Sequence, residues 1–362
     1  MSPSTPAHPT PAPTPAPLRT ALPVAITQGD VCGIGPEVIA KFFRTPDAKG
    51  CFVLGDVAVM RRAAAWTGGM LAVAQIEAPA DAIKLPLNCL AVLQADALAV
   101  DLMQAPVGQV DPRAGAAAAR CIEQAVALAL RGEVSAIVTA PVHKAALAAA
   151  GVAFPGHTEM LQALAALPGH APPPVRMMLA NDELRCVLVT IHLSLRSAIE
   201  AVTFDAVLTT LRIAHRAAAG WGQARPRIAV AGLNPHAGEG GLCGEEEIQI
   251  IAPAVAAAQA EGIDARGPFA PDTVFMRARH SASHAGEFDV VVAMTHDHGL
   301  IPVKYLGVEH GVNVTLGLPF VRTSPDHGTA FDIAGSGRAD ASSLAAAVKM
   351  ARRLTGAAQC DF

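Results

Sequence analysis

Short, almost uniformly apolar runs alternate along this chain with longer alanine-rich stretches, and this alternation limits the fold more than any other feature. The runs at 22–27, 51–54, 136–139, 185–191, 227–232 and 289–294 are rich in valine, isoleucine and leucine. A strand that is apolar on both faces must be covered on both faces, as in the parallel sheets of α/β proteins. The stretches at 37–43, 114–130, 204–219, 245–260 and 342–354 read as the covering helices, with Pro36 suited to a first helical position. The expectation is an α/β fold with a largely parallel sheet flanked by helices. Alanine raises the apolar fraction to 52%, with aromatics at only 4%. Alanine favours helix, and no uncharged apolar stretch is long enough to predict a transmembrane helix.

Lys and Arg number 27 against 31 Asp and Glu, a formal net charge of -4. That balance argues against nucleic acid or an anionic membrane as the main partner. The cysteines (Cys32, Cys51, Cys89, Cys121, Cys186, Cys243, Cys360) are odd in number and contain no Cys-x-x-Cys pair. They read as reduced thiols of a cytoplasmic protein, most of them small core residues. Residues 1–20 are Pro/Ala/Thr-rich, without the basic start and apolar centre of a signal peptide, and are expected to be a disordered tail. A weak domain boundary is expected near 151–156.

Three of the apolar runs lead into a histidine: 187–191 into His192, 228–235 into His236 and 290–295 into His296. Ligands of open α/β sheets sit beyond the carboxyl ends of the strands. Three imidazoles converging there would make a metal site with an open position, and the bland alternative is three unrelated loop histidines. His298 complicates the choice of ligands. Lys304, Asn313 and Arg322 form a plausible cradle for a phosphate or carboxylate, set against the alternative of solvated surface cations. His157 and Thr158, following Gly156, offer an imidazole, a hydroxyl and backbone N–H groups to an anion. Alternatively, Thr158 caps a helix starting at Glu159. The glycine turn at 29–35 completes no G-x-G-x-x-G, and no Walker loop occurs. A cofactor must then use another loop. The candidate is 327–335, HGTAFDIAG, where glycines allow close backbone approach and His327 and Asp332 could meet a ring or a ribose.

Eight ordered blocks carry a family resemblance: TQGDVCGIGPE (27–37), TAPVHK (139–144), PGHTE (155–159), TIHLSLR (190–196), LNPHAGEGG (233–241), GPFAPDT (267–273), HDHGLIPVK (296–304) and GVNVTLGLPFVRTSPDHGTAFDIAG (311–335). The chain resembles the 4-hydroxythreonine-4-phosphate dehydrogenase family of vitamin B6 biosynthesis. The resemblance implies a two-lobed fold like that of isocitrate and isopropylmalate dehydrogenases, with parallel and mixed sheets. Residues 21–150 plus 300–362 would form the first lobe, with the cofactor loop. Residues 151–299 would form the second, with the metal-ligand strands and the dimer interface. The family is a homodimer whose active site is shared between subunits. The resemblance further implies that His192, His236 and His296 hold one divalent ion (Zn, Mg, Co or Mn), and that His157, Thr158, Lys304, Asn313 and Arg322 bind the phosphorylated substrate. It implies NAD or NADP on His327, Gly328, Thr329, Asp332 and Gly335.

The implied reaction is metal-assisted oxidation of the C3 hydroxyl of 4-hydroxy-L-threonine 4-phosphate to a β-keto acid, which decarboxylates to 3-amino-2-oxopropyl phosphate on the route to pyridoxal 5'-phosphate. Lys304 or Asp297 would remove the proton and Asp272 would orient it; the sequence does not choose between them. Two features depart from the family pattern. Thr295-His-Asp-His298-Gly stands where the family has Tyr-His-Asp-Gln-Gly, and 277–286 is about five residues longer. The Ile-Pro-Val-Lys wording also resembles a sister group that oxidises phosphorylated threonate or erythronate. A branch acting on aromatic cis-dihydrodiols, without the Gly-His-Thr motif and this arginine, stands third. Two rivals are a metal-dependent phosphohydrolase and a non-catalytic metal-stabilised binding protein.

Overall fold

The computed structural model describes residues 22–154, 156–166 and 169–356. The expected tail at 1–20, Pro155 and Cys360 lie outside them. Among the described residues twelve strands form one sheet: β1 (Val24–Thr27), β2 (Cys51–Gly55), β3 (Ala72–Ile76), β4 (Cys89–Gln94), β5 (Ala136–Thr139), β6 (Arg176–Ala180), β7 (Arg185–Leu188), β8 (Ile228–Ala231), β9 (Ala265–Phe269), β10 (Val290–Ala293), β11 (Val312–Leu316) and β12 (Val321–Pro325). Their order is β3-β4-β2-β1-β5-β12-β11-β6-β7-β10-β8-β9. The strands from 21–150 and 300–362 lie on one side and those from 151–299 on the other. All pairings are parallel except those of β11 with β12 and β6, and of β6 with β7.

Among the described residues eleven α-helices cover the sheet: α1 (Gly35–Phe42), α2 (Val57–Trp66), α3 (Pro112–Leu130), α4 (Lys144–Ala149), α5 (His157–Leu164), α6 (Leu195–Ala201), α7 (Phe204–Ala218), α8 (Ala252–Ala260), α9 (Val274–Ala278), α10 (His296–Tyr305) and α11 (Ser342–Leu354). The expected runs appear as β1, β2, β5, β7, β8 and β10, and the expected helices as α1, α3, α7, α8 and α11. The run at 185–191 is shorter as a strand, Arg185–Leu188, although Val189 and Thr190 still donate to the Ala293 and Met294 carbonyls. The stretch at 245–260 divides into a π-helical turn at Glu247–Ile251 and α8. Pro253 has no N–H to give, so the preceding turn widens.

Register decides which side chains share a face. Arg322 pairs with Ile137, and Thr315 stands opposite Arg322 and beside Met177. The pairing continues through Leu179 and Cys186 to Val291 on the same face. At one end, Ile137 packs with α3 and α5 residues; at the other, Leu179, Cys186 and Val291 pack with residues of α9 and α10. Helix α10 lies flat on β7 because residue 299 is glycine: a Cβ there would stand 2.4 Å from Leu188 Cδ2. Between these two apolar groups the face is polar, carrying Thr139, Arg322, Asn313 and Thr315. The opposite face is covered by α1, α7, α8 and α11 over a continuous apolar core. The candidate site occupies the polar gap between the two helical groups.

Candidate active site

Arg322 is the floor of the gap. It is 2% exposed. Its Nε and Nη2 donate to Thr139 Oγ1 at 3.2 and 2.6 Å, and its Nη1 donates to Thr315 Oγ1 at 3.0 Å. These acceptors are neutral hydroxyls, and among the described residues no carboxylate pairs with it. Burial lowers its pKa to about 10. A guanidinium desolvated without a counter-ion is costly, so this is a place built to receive an anion. His157, on the first turn of α5, has a buried Nε2 with no hydrogen-bond partner among the described residues. Burial first, then the Arg322 charge, holds its pKa well below the usual histidine value. Its neutral ring can thus donate an N–H to an oxyanion. Asn313 shares the face of Arg322, and Thr158 follows His157 on α5. The capping alternative for Thr158 is not what forms: Gly156 is the N-cap and α5 begins at His157.

Lys304, in the last turn of α10, reaches Asp326 beyond β12, Nζ to Oδ2 2.7 Å. Asp326 is a partner that sequence reading missed; its only signal was its place in the TSPDHG stretch.

His192 and His296 follow the adjacent strands β7 and β10, with ring centroids 5.5 Å apart. Burial lowers the His192 pKa, with Lys144 and His296 adding to it. A neutral ring keeps a lone pair for a metal ion. His296 Nδ1 lies 2.7 Å from Asp297 Oδ1, an arrangement that fixes the ring and leaves Nε2 outward. His236 is not brought to them: among the described residues no group of three His, Cys, Asp or Glu could hold an ion within one chain. It lines a separate cavity of about 590 Å³ with Asp272, Thr295 and His298. Burial also lowers the His298 pKa.

The backbone at these histidines is unusual. His192 has φ 51°, and His236, Ala237 and Glu239 have φ between 45° and 55°. Non-glycine residues held in the left-handed region persist only where the surroundings enforce them, and they gather at functional sites. Glu247 supplies part of that enforcement, accepting the N–H groups of Leu233 and Asn234 at 2.6 and 2.8 Å. Burial alone would raise its pKa, but hydrogen bonds from Asn234 and Leu233 outweigh it and hold the carboxylate ionised.

The loop at 327–335 packs on the glycine turn of β1. Ile34 N–H donates to Thr329 O at 2.9 Å and Gly335 N–H to Glu37 Oε2 at 2.8 Å. A Cβ on Gly33 would stand 2.8 Å from Thr329 O, so the close approach needs glycine. Thr329 and Gly335 thus anchor the loop, while Gly328 and Asp332 are exposed. The Asp332 carboxylate is free to accept from ribose hydroxyls. His327 has a buried Nε2 without a partner. Phe331 stacks on His143, centroids 4.7 Å apart.

A family model described as "Pyridoxal phosphate biosynthetic protein PdxA" matches residues 47–351. The chain is 55% identical over 333 residues to a 4-hydroxythreonine-4-phosphate dehydrogenase of Beijerinckia indica, covering 92% of this chain and 95% of that one. It is 44% identical to a D-threonate 4-phosphate dehydrogenase of Pectobacterium atrosepticum, covering 91% and 98%. A crystal structure of a 4-hydroxythreonine-4-phosphate dehydrogenase from Klebsiella pneumoniae superposes with a TM-score of 0.82 at 42% identity, covering 92% of this chain and all of that one.

Proposed function

The chain belongs to the pyridoxal phosphate biosynthetic protein PdxA family, and on that footing we propose that it oxidises the C3 hydroxyl of 4-hydroxy-L-threonine 4-phosphate with NAD or NADP. The product 3-keto acid loses carbon dioxide to give 3-amino-2-oxopropyl phosphate, a step toward pyridoxal 5'-phosphate. The observation that carries this reading is Arg322: a buried guanidinium, met only by hydroxyls, beside a neutral imidazole. A phosphate dianion supplies the charge that this pocket lacks, in the bidentate manner suited to arginine. Thr158, Asn313 and Lys304 complete the cradle, with Asp326 aiming the lysine.

His192 and His296 fit a divalent ion as two imidazoles side by side, and His236 of the partner subunit would complete the set. Such an ion, when bound, lowers the hydroxyl pKa and stabilises the enolate left by decarboxylation. The exposed backbone at Gly328 and the Asp332 carboxylate fit a dinucleotide, with His327 beside them and Thr329 and Gly335 holding the loop. A dinucleotide held there would supply the hydride acceptor for C3. Three groups are candidates to move the hydroxyl proton. Asp297 is engaged with the His296 ring, Lys304 is held by Asp326, and Asp272 faces the cavity of His236. Phosphate binding fixes the reacting carbon against these groups, using contacts remote from the bond that breaks. Among the described residues no helix is long and apolar enough to cross a membrane.

A second reading, oxidation of D-threonate 4-phosphate, is supported by the relative of that name and by Thr295 and His298 in the cavity beside the histidines. NAD and NADP reduction, followed by absorbance, separates the two. The assay offers 4-hydroxythreonine 4-phosphate, D-threonate 4-phosphate and D-erythronate 4-phosphate in parallel, each with and without EDTA. The expected result is chelator-sensitive turnover of the amino acid phosphate. Turnover of only the amino-free acids moves the chain to the second reading, and phosphate release without nicotinamide reduction rejects both.

A further inference from the structure

We propose that Lys144 binds the carboxylate of the substrate, at the end of the molecule opposite the phosphate. The inference rests on the reading of the site as one that oxidises a phosphorylated hydroxy acid, and it adds a residue with no role so far.

The turn between β5 and α4 touches all three parts of the site within six residues. Thr139, at the end of β5, holds Arg322 through its hydroxyl. His143 stacks on Phe331 of the 327–335 loop. Lys144, the next residue, leans toward α5, its Cε 3.8 Å from where a Cβ on Gly156 would stand. Gly156 immediately precedes His157 of the phosphate cradle. The Lys144 stem therefore lies beside the phosphate cradle, within reach of the rest of a bound four-carbon acid.

The neighbourhood leaves this charge available. Lys304, aimed by Asp326, and Arg322 both lie at the phosphate end. Glu159 Oε2 comes within 3.4 Å of the same Gly156 position, but among the described residues Lys144 has no ion-pair partner. Its residue is exposed at the start of a short helix, so its side chain supports no core. A point charge on a flexible stem suits a carboxylate that departs as carbon dioxide, because it orders the group without a rigid fork.

The test compares wild type, Lys144→Met and Lys144→Arg on 4-hydroxythreonine 4-phosphate and on its C1 amide, by turnover and by calorimetric binding. For the acid, Lys144→Met is expected to lower kcat/KM and affinity by roughly 10- to 100-fold, the loss of one charge-assisted hydrogen bond. Lys144→Arg is expected to restore most of it. For the amide, wild type and Lys144→Met should perform alike. The melting temperature should not move; a fall matched by Glu159→Gln would assign Lys144 a structural pairing and overturn the proposal. An equal loss on acid and amide also overturns it. If wild type neither binds nor oxidises either compound, the functional reading falls and this inference with it.

Discussion

Arg322 is a charge kept where a charge is expensive. Among the described residues its desolvation is offset by two threonine hydroxyls alone, and a structural role would not require an ion at all. Arg322→Met therefore separates binding from stability. The ligand-free variant should melt at or above the wild-type temperature, because an uncompensated cation is replaced by an apolar chain of similar length. KM for the phosphorylated substrate should rise about 100-fold, the worth of a bidentate charged contact. Inorganic phosphate should raise the melting temperature of wild type and leave the variant unmoved, since a ligand stabilises only the state that binds it. A variant that melts lower and binds phosphate normally would make Arg322 a framework residue. The sequence exposed Arg322 as a candidate by its company with Lys304 and Asn313. Its burial, the fact that makes it informative, follows from register with Ile137 and is not written in the local sequence.

At the scale of elements, Thr139 shows how β5 serves β12. Thr139→Val keeps the shape and strands two buried guanidinium donors, which costs about 1–3 kcal/mol. Urea denaturation should show that loss, and the double variant with Arg322→Met should recover it, because the stranded charge is then gone. The strands that were legible in the sequence are the uniformly apolar ones, buried on both faces by helices. Strands β11 and β12 were not legible, because Asn313, Thr315, Arg322, Thr323 and Ser324 break the apolar run. Asn313, Thr315, Arg322 and Ser324 share the face of the site, while Thr323 turns to the other face and donates to Ala347 O of α11, so the pattern failed mainly where function overrides it. Helix α10 was hidden in the same way by Gly299 and Pro302, of which the first lets the helix lie against Leu188 and Cys186. The motifs at the histidines were legible as residues. The pairing of His192 with His296, and the separation of His236, depend on β10 lying between β7 and β8 and on a left-handed turn after β8.

The whole chain presents an unfinished surface around that turn. Leu195, Leu242, Ile248, Met276, Ile301 and Tyr305 are large apolar side chains between 55% and 90% exposed, carried by the segments that surround the three histidines. Apolar surface concentrated beside a site marks an interface, and a twofold dimer would bring His236 of the partner subunit toward His192 and His296. Complementation tests this without any knowledge of the metal. His192→Ala and His236→Ala should each be inactive alone. After unfolding and refolding as an equal mixture, half of the dimers combine the two chains. In each of these one site carries both substitutions and the other carries none. About a quarter of wild-type activity should therefore return if the ligands come from different subunits, following from twofold symmetry alone. A mixture that stays inactive while sedimenting as a dimer would place all three histidines within one chain and require the turn at His236 to close over the 590 Å³ cavity.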